Sequence, residues 1–194
     1  SGSGENIQEE EEEELKQDDN RMTWSVRVQL VEIYNESIRD LLLDDSDEDD
    51  NNNPQPRLSL RQAQDGTTNV EGARRVEVQT AEEVLSLLAL GSARRATNST
   101  SMNDRSSRSH SILTVFVEMN DLRTQERRLG RLNLVDLAGS ERLKASESAG
   151  ERLVEAKHIN SSLSSLCGVM NALSEPKTHK HVPYRDSKLT YLLK

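Results

Sequence analysis

Residues 99–143 read STSMNDRSSRSHSILTVFVEMNDLRTQERRLGRLNLVDLAGSERL, and they combine two polar loops with two apolar stretches. The first apolar stretch, Ser111–Glu118, follows the loop NDRSSRSH at residues 103–110. The second, Arg131–Asp136, leads directly into the loop DLAGSE at residues 136–141. Short apolar runs bounded by polar, glycine-containing segments are typical of strands. The sequence therefore predicts two strands, each joined to a loop that is rich in hydroxyl and carboxylate groups.

The end of the second strand carries groups suited to phosphate and Mg²⁺. The run Leu132–Val135 is apolar and is expected to be buried in a sheet, with Asp136 at the carboxyl edge, where open α/β sheets bind ligands. A carboxylate there can hold the water shell of Mg²⁺, which takes only one or two protein oxygens. Gly139 has no Cβ, so its backbone can approach a γ-phosphate and donate the N–H.

The first loop offers complementary groups. Ser106 and Ser107 provide hydroxyls for Mg²⁺ or for an attacking water, and Arg108 and Glu141 are expected to form an ion pair between the two loops. A serine-rich string alone is usually a flexible or phosphorylatable loop, and only its coupling to DLAGSE favours a site. His110 is expected to be a hydrogen-bonded residue at the strand entry, not a metal ligand or a base.

Five sequence blocks occur in the order of one protein family, and they cover nearly all of the chain from Trp24 to Lys194. They are VEIYNESIRDLL (31–42), NDRSSRSH (103–110), DLAGSE (136–141), EAKHINSSLSSL (155–166) and HVPYRDSKLTYLL (181–193). This set resembles the kinesin motor domain, with NDRSSRSH as switch I and DLAGSE as switch II. A DxxG motif also occurs in GTPases, but the guanine-reading N-K-x-D motif of that class is absent from the sequence.

The resemblance implies an α/β fold of the phosphate-loop NTPase type, present in part, with a mostly β central sheet flanked by helices. It also implies ATP and Mg²⁺ as cofactors. Ser107 would bond the metal-bound water or a phosphate oxygen, Asp136 would hold the metal's water shell, and Gly139 would donate its N–H to the γ-phosphate.

The remaining catalytic residues implied by the resemblance concern the lytic water. Asn103 and Ser106 would help to place that water, and a salt bridge between Arg108 and Glu141 would close when ATP is bound. Phosphoryl transfer depends mainly on positioning and charge stabilisation, so few groups are required to react covalently. Loss of the γ-phosphate would then release both loops.

Basic residues concentrate in the last part of the chain, where residues 142–194 hold nine Lys or Arg and five Asp or Glu. In kinesins the corresponding segment contacts the acidic surface of tubulin, and the residues that match it are Arg142, Lys144, Arg152, Lys157, Tyr184, Arg185 and Lys188. A basic patch alone also suits nucleic acid. Tyr184 and Tyr191 are nearly the only aromatic residues available there for base stacking, which disfavours nucleic acid as the partner.

The charge divides the chain into two parts. Residues 1–53 hold 18 acidic and 4 basic residues, for a net charge of −14, whereas residues 54–194 hold 16 acidic and 21 basic residues, for a net charge of +5. We expect residues 1–22 to be an acidic, disordered lead-in, because a run such as Glu9–Glu14 cannot bury a core. Residues 23–194 are expected to be a partial motor domain.

Absent features set further expectations. No G-x-x-x-x-G-K-[ST] phosphate loop occurs in the 194 residues, so we expect an internal piece of a motor domain without the nucleotide cradle or the final strand and helix. No signal peptide or membrane-spanning run is found. A single cysteine, Cys167, suits a reducing compartment. These observations favour a cytoplasmic protein with no direct membrane contact. The resemblance to kinesins implies in addition a cytoskeletal location, and a dimeric parent protein is compatible with it.

Local patterns predict the other elements. Thr23–Tyr34 alternates and then becomes continuously apolar, which indicates a strand that is half-buried first and fully buried later. Ser37–Leu43 is predicted to be a helical turn, and Leu58–Leu60 and Arg74–Gln79 are predicted to be short strands. Asp44–Pro56 is expected to be a mobile acidic loop.

Two helices are predicted. The first begins at Thr80 with a capping-box pattern, has its apolar face at Val84, Leu85, Leu88 and Ala89, and is loosened by Gly91. Its residues are all expected to serve packing. The second, capped within 148–151, carries a core-facing stripe formed by Ala156, Ile159, Leu163, Leu166, Met170 and Leu173, with Cys167 packed on the apolar side.

Together these features predict a microtubule-based motor in which ATP hydrolysis is coupled to movement. The alternative prediction is a non-catalytic tubulin-binding module that lacks the nucleotide cradle.

Overall fold

An antiparallel five-stranded sheet lies at the centre of the protein, in a computed structural model that describes residues 22–43, 58–97, 105–139, 151–174 and 181–194. Its strands are β1 (Met22–Tyr34), β2 (Ser37–Asp40), β5 (Val76–Val78), β6 (His110–Asp121) and β7 (Arg127–Asp136). The order is β2-β1-β6-β7, and β5 also pairs with β1. A second sheet consists of β3 (Ser59–Gln62) and β4 (Thr68–Glu71).

Three α-helices and two 3₁₀ helices accompany the sheets in the described part of the chain. They are α1 (Ala81–Thr97), α2 (Glu151–Ser174), α3 (Lys188–Leu192) and the 3₁₀ helices Arg105–Arg108 and Tyr184–Asp186. The predicted α/β class, with a sheet core flanked by helices, is confirmed. None of the helices in these ranges is both long and apolar enough to cross a membrane.

Two apolar clusters cover the two faces of the central sheet. On one face, Val28, Leu30 and Leu113 pack with Leu88 of α1. On the other, Val31, Ile33 and Ile112 pack with Leu189 of α3 and with Val70 of the small sheet. Because both faces are covered there, every residue from 28 to 33 is buried, and the predicted change from half-buried to fully buried strand is confirmed.

The register of β6 and β7 determines where the two polar loops lie. Ser111 near the start of β6 pairs with Asp136 at the end of β7. Since the strands are antiparallel, the loop that enters β6 and the loop that leaves β7 reach the same edge of the sheet.

Helix α1 begins where the sequence predicts. The Glu83 N–H donates to Thr80 Oγ1 (3.2 Å), and the Glu83 carboxylate accepts from the Gln79 N–H (2.7 Å), one residue before the expected partner of a capping box. The predicted apolar face is wrong at Leu85 and Ala89, which are both exposed, because the helix turns Leu87 toward the core instead.

Gly91 does not loosen α1, which continues unbroken to Thr97. Its role is a close approach between the helix and the sheet. A Cβ at this position would lie 2.2 Å from Leu30 Cδ2 and 3.4 Å from Leu41 Cβ. A larger residue at position 91 would therefore push the Leu30 side chain out of its present position.

The prediction of a helical turn at Ser37–Leu43 is wrong. Asn35 and Glu36 both have positive φ, 49° and 55°, and this turn reverses the chain so that residues 37–40 pair with β1 as strand β2. Pairing with an existing strand outweighs the local helical preference of the segment. Leu41 and Leu42 are buried, as predicted.

The apolar run 132–135 is not buried as predicted. Leu132 and Leu134 are 55% and 52% exposed. Among the described strands β7 pairs only with β6, and no described element covers these two side chains. A hollow of about 250 Å³ lies beside Leu134, and its other lining residues include Leu88 and Leu113.

The inward face of α2 is displaced from the predicted stripe. Met170 and Leu173 are exposed, and Cys167 is exposed rather than packed. The inward face includes Ser162, Leu166 and Val169, of which Ser162 and Val169 are buried and Leu166 packs against the apolar cluster that contains Leu189. The helix is thus rotated by about one residue from the orientation that its apolar residues alone suggest.

Candidate functional site

The two polar loops are joined by a backbone hydrogen bond. The Gly139 N–H donates to the Ser107 carbonyl oxygen at 3.0 Å. Ser107 lies in the 3₁₀ helix before β6, and Gly139 follows β7 by three residues. Three of the predicted residues, Ser107, Asp136 and Gly139, therefore lie at one edge of the sheet.

The Asp136 carboxylate is held by an arginine that the sequence did not indicate. Arg95 Nη1 lies 2.8 Å from Asp136 Oδ2, and the Asp136 side chain remains 71% exposed. Arg95 belongs to the last turn of α1 and is itself only 8% exposed. The carboxylate is thus oriented from the buried side and open to solvent on the other.

Arg95 also contacts Ser109 and Glu32. Its Nε donates to Ser109 Oγ (3.0 Å), and its Nη2 donates to the Ser109 carbonyl oxygen (2.6 Å). Glu32 Oε1 lies 3.6 Å from Arg95 Nε, and the Glu32 side chain is 0% exposed. A buried charge requires a charged or hydrogen-bonding partner, so Arg95 links a buried acid on β1 to the exposed acid on β7.

The expectation that α1 serves packing alone is wrong for Arg95. One sequence signal pointed to this ion pair: Glu32 interrupts an otherwise apolar stretch of a strand that is buried on both faces. A carboxylate in such a place needs a cation from a neighbouring element. The sequence did not indicate which arginine supplies it.

His110 connects the loop after β7 to helix α2. The Ala138 N–H donates to His110 Nδ1 at 3.0 Å, and His110 Nε2 lies 2.8 Å from Ser162 Oγ. Burial lowers the pKa of His110, and Arg95 lowers it further, against an opposite effect from Asp136. The prediction that this histidine is held by hydrogen bonds at the strand entry is confirmed.

The donor set at this edge fits Mg²⁺. The oxygen groups at this edge are the Asp136 carboxylate and the Ser107 hydroxyl, which belong to exposed residues, and hard oxygen ligands of this kind suit Mg²⁺. In the described ranges no group of three or more His, Cys, Asp or Glu side chains could hold a metal ion. Mg²⁺ requires no such cage, because it usually keeps several waters and binds substrate phosphates.

The other four predicted loop residues are Asn103, Ser106, Arg108 and Glu141. Asn103 and Glu141 lie outside the described residues, and the backbone of Ser106 lies in the 3₁₀ helix while its side chain lies outside them. Arg108 is partly buried near Glu36 and His158. Its ion pair with Glu141 therefore stays a prediction.

Of the residues predicted to bind the partner, some lie outside the described residues and the others are exposed or partly buried. Arg142 and Lys144 lie outside the described residues, and so does the side chain of Arg152 in α2. Lys157 on α2 and Arg185 are exposed, whereas Tyr184 and Lys188 are partly buried.

Helix α3 is fixed in place at its first turn. Ser187 Oγ accepts the Thr190 N–H (3.1 Å), and Thr190 Oγ1 accepts the Ser187 N–H (3.2 Å), which forms a capping box. The Lys188 N–H donates to Glu36 Oε2 (3.0 Å) in the β1–β2 turn. The segment that carries Tyr184, Arg185 and Lys188 is thereby tied to the sheet.

The sequence matches the model of the kinesin motor domain family over residues 5–194. Kinesin-like protein KIN-14G of Arabidopsis thaliana is 47% identical over 171 residues, which are 88% of this chain and 16% of that protein. Kinesin-like protein KIN-14K of Oryza sativa subsp. japonica is 47% identical over 175 residues, which are 90% of this chain and 16% of that protein. The chain thus spans a small part of the length of these curated relatives.

Solved structures give the same result. The motor domain of the kinesin-like protein Kar3 of Saccharomyces cerevisiae has a TM-score of 0.71 and 36% identity, with 93% of this chain and 51% of that chain covered. A KIF14 dimer in its two-heads-bound state, with AMP-PNP and in complex with a microtubule, has a TM-score of 0.74 and 37% identity, with 94% and 51% covered. On this evidence the chain belongs to the kinesin motor domain family.

Proposed function

We propose that this chain is part of a microtubule motor in which ATP hydrolysis is coupled to movement along microtubules. The observation that carries the proposal is the junction of the two loops, where the Gly139 N–H meets the Ser107 carbonyl oxygen beside the Asp136 carboxylate. A site with a hydroxyl, a carboxylate and a glycine amide at one sheet edge suits phosphate and Mg²⁺.

ATP with Mg²⁺ is the proposed cofactor, and Ser107 and Asp136 would hold the metal and its waters. When bound, Mg²⁺ supplies neutralisation of the phosphate charge. Arg95 keeps one oxygen of Asp136 engaged from the protein side and so orients the carboxylate. The Gly139 N–H donates to Ser107 here, so it becomes available to a phosphate only when the two loops change their contact.

The proposed roles of the other loop residues follow from the family. Asn103 and Ser106 would place the attacking water, and Arg108 would pair with Glu141. The G-x-x-x-x-G-K-[ST] motif does not occur in the 194 residues, so the phosphate cradle would come from another part of the parent protein.

The proposed partner is the microtubule. The KIF14 structure similar to this chain contains a microtubule, and residues 142–194 carry an excess of basic residues. The contact surface would include Lys157 on α2 and Arg185 before α3, both exposed, together with Arg142, Lys144, Arg152, Tyr184 and Lys188. A partner with an acidic surface would be steered to these charges, and the protein would locate to the cytoskeleton.

A second candidate function is a non-catalytic tubulin-binding module. It is favoured by one observation, the absence of the phosphate-loop motif from a sequence that retains the basic segment. Such a module would bind microtubules without responding to nucleotide.

Microtubule co-sedimentation tests both candidates. Because the phosphate cradle would lie outside these 194 residues, the parent protein that carries both parts would be pelleted with microtubules in Mg·ATP or Mg·ADP at two salt concentrations. Salt-sensitive pelleting that differs between the nucleotides supports the motor. Salt-sensitive pelleting that ignores nucleotide supports the binding module.

A matched pair of variants controls for non-specific charge effects in this assay. Lys157→Glu reverses a charge on the proposed surface, whereas Arg128→Glu reverses an exposed charge on β7, away from the basic segment. Weaker pelleting of the first variant alone is expected. Equal weakening by both, or no pelleting of the chain, would contradict the proposed surface.

A further inference from the structure

The imidazole of His110 touches two separate segments of the chain. Its Nδ1 accepts the Ala138 N–H from the loop after β7, and its Nε2 lies within hydrogen-bond distance of Ser162 Oγ on α2. His110 is 3% exposed, and Ala138 and Ser162 are also buried. The ring is therefore a buried bridge between the candidate site and the long helix.

The hydrogen-bond partners fix the tautomer of this ring. A backbone N–H can only donate, so Nδ1 of His110 must be the acceptor and the ring proton must be on Nε2. Nε2–H then donates to Ser162 Oγ, and the Ser162 hydroxyl donates in turn to the Ile159 carbonyl oxygen at 2.8 Å. The Ala138 N–H, the His110 Nε2–H and the Ser162 hydroxyl thus each donate to one acceptor, and all three hydrogen bonds run in the same direction, from the loop to the helix.

The loop end of the bridge is connected to the candidate site. Ala138 lies between Asp136 and Gly139, and the Gly139 N–H donates to the Ser107 carbonyl oxygen. Two consecutive amides of the loop are thus held by residues 107 and 110. A displacement of the loop changes the position of the acceptor that the Ala138 N–H requires.

The helix end of the bridge specifies the position of α2 along its axis. Leu166 of the same face packs against the apolar cluster of β1 and α3, and Val169 is buried. Apolar packing tolerates small sliding movements because it is not directional. The hydrogen bond between His110 and Ser162 depends steeply on distance and angle. It therefore distinguishes one position of the helix from its neighbours.

We propose that His110 is a positioning residue that couples residues 137–139 to helix α2 through its Nε2–H tautomer and Ser162. The proposal rests on the proposed function, since the loop would sense the nucleotide and α2 would carry part of the microtubule-binding surface. A change in the loop would reach α2 through the His110 side chain.

Hydrogen exchange of the 194-residue chain tests the coupling without nucleotide or microtubules. Ser162→Ala removes one hydroxyl from α2, and we expect exchange of the Ala138 N–H to become about 5- to 10-fold faster, as for the loss of one hydrogen bond. His110→Asn should retain the bond to Ala138, because Asn Oδ1 lies near the position of Nδ1, and should speed exchange in α2 instead.

A serine on the same helix provides the control. Ser165 Oγ donates to the Ser161 carbonyl oxygen within α2, so Ser165→Ala removes the same atom without touching the bridge. It should leave exchange at residues 137–139 within about twofold of the parent chain. Equal effects of Ser162→Ala and Ser165→Ala on the loop would overturn the proposal.

The tautomer supplies an independent readout. Two-bond ¹H–¹⁵N spectra of ¹⁵N-histidine-labelled chain should show His110 with a protonated Nε2 and an unprotonated Nδ1 at neutral pH. A proton on Nδ1, or an average of both tautomers, would overturn the proposal. Because neither readout involves ATP or microtubules, the coupling can fail while co-sedimentation succeeds, and the reverse also holds.

Discussion

Arg95 Nη1 lies 2.8 Å from Asp136 Oδ2, so the final turn of α1 holds the carboxylate at the end of β7. The same guanidinium faces buried Glu32 at 3.6 Å. Glu32, Ser111 and Asp136 are aligned across β1, β6 and β7 by the strand register. One cation therefore spans three strands at the edge that carries the candidate site.

Replacing this cation should destabilise the fold. Arg95→Met keeps a chain of similar length but removes the cation beside buried Glu32. The breaking of a buried ion pair typically costs about 3–5 kcal/mol, and we expect a loss of free energy of unfolding in this range from urea denaturation.

The double variant Arg95→Met, Glu32→Gln distinguishes the loss of stability caused by an unpaired buried charge from the loss caused by changed packing. It removes both buried charges and should recover part of the lost stability. Arg128→Met, which breaks only the exposed pair with Glu126, should change the urea midpoint little. If the double variant were no more stable than Arg95→Met, the two charges would not be coupled.

A second prediction concerns glycine in the helices. Gly91→Ala places a Cβ 2.2 Å from Leu30 Cδ2, and overpacking of this kind costs about 1–3 kcal/mol. The gain in helix propensity, about 1 kcal/mol, offsets only part of that cost. Thermal unfolding should show a lower midpoint.

Gly168 in α2 provides the matched control. No atom lies within 4 Å of a Cβ built there, so Gly168→Ala should raise stability by up to about 1 kcal/mol. Adding Leu30→Val to Gly91→Ala should relieve the close contact. A Gly91→Ala variant as stable as the parent chain would contradict the required close approach.

Stability should fall in mild acid because of His110. Burial lowers its pKa below the ordinary value of 6.5, so between the two pKa values the unfolded state binds more protons than the folded state. The stabilisation is complete above about pH 6.5 and is lost as the pH falls toward the folded pKa. Among the described residues, the charged or titratable neighbours of the ring are Arg95, Asp136, Arg108, Glu36 and His158.

Urea denaturation at pH 7.5 and pH 5.5 measures this effect. The parent chain should lose more stability over this interval than His110→Gln, which cannot titrate. Equal losses in the two proteins would assign the acid sensitivity to other groups.

The fold was predicted correctly where the local sequence pattern was strong and was missed where it was weak. β1 was predicted with its burial because an apolar run covered on both faces is continuous. β2 was missed because residues 37–40 become a strand only by pairing with β1 across a turn that needs positive φ at Asn35 and Glu36. Exposed Leu132 and Leu134 were missed because burial depends on neighbours that a strand's own sequence does not contain.

The candidate site was likewise predicted only in part. The loop motifs indicated Ser107, Asp136 and Gly139, and the β6–β7 register brings these residues to one edge. Arg95 was missed because a basic residue in the last turn of a helix ordinarily complements the helix dipole at the surface. Only the packing of α1 on the sheet turns it toward Asp136.

The exposed edge of β7 leads to a last prediction. Leu132 and Leu134 are more than half exposed on a strand whose other edge, in the described part of the chain, is unpaired. Unpaired apolar edges favour association between chains, so the isolated chain should self-associate in light scattering coupled to size-exclusion chromatography. Leu132→Lys with Leu134→Glu should shift it toward monomer.

A buried leucine on the adjacent strand provides the control. Leu113 pairs with Leu134 on the adjacent strand but is buried, so Leu113→Lys should unfold the chain, whereas the double edge variant should keep its unfolding midpoint. Placing a charged side chain in a core costs much more free energy than placing it in water. The difference between the unfolding midpoints of the two variants therefore reports how exposed residues 132 and 134 are. A parent chain that is monomeric and melts cooperatively would show that this edge is protected, and would contradict the exposure of β7.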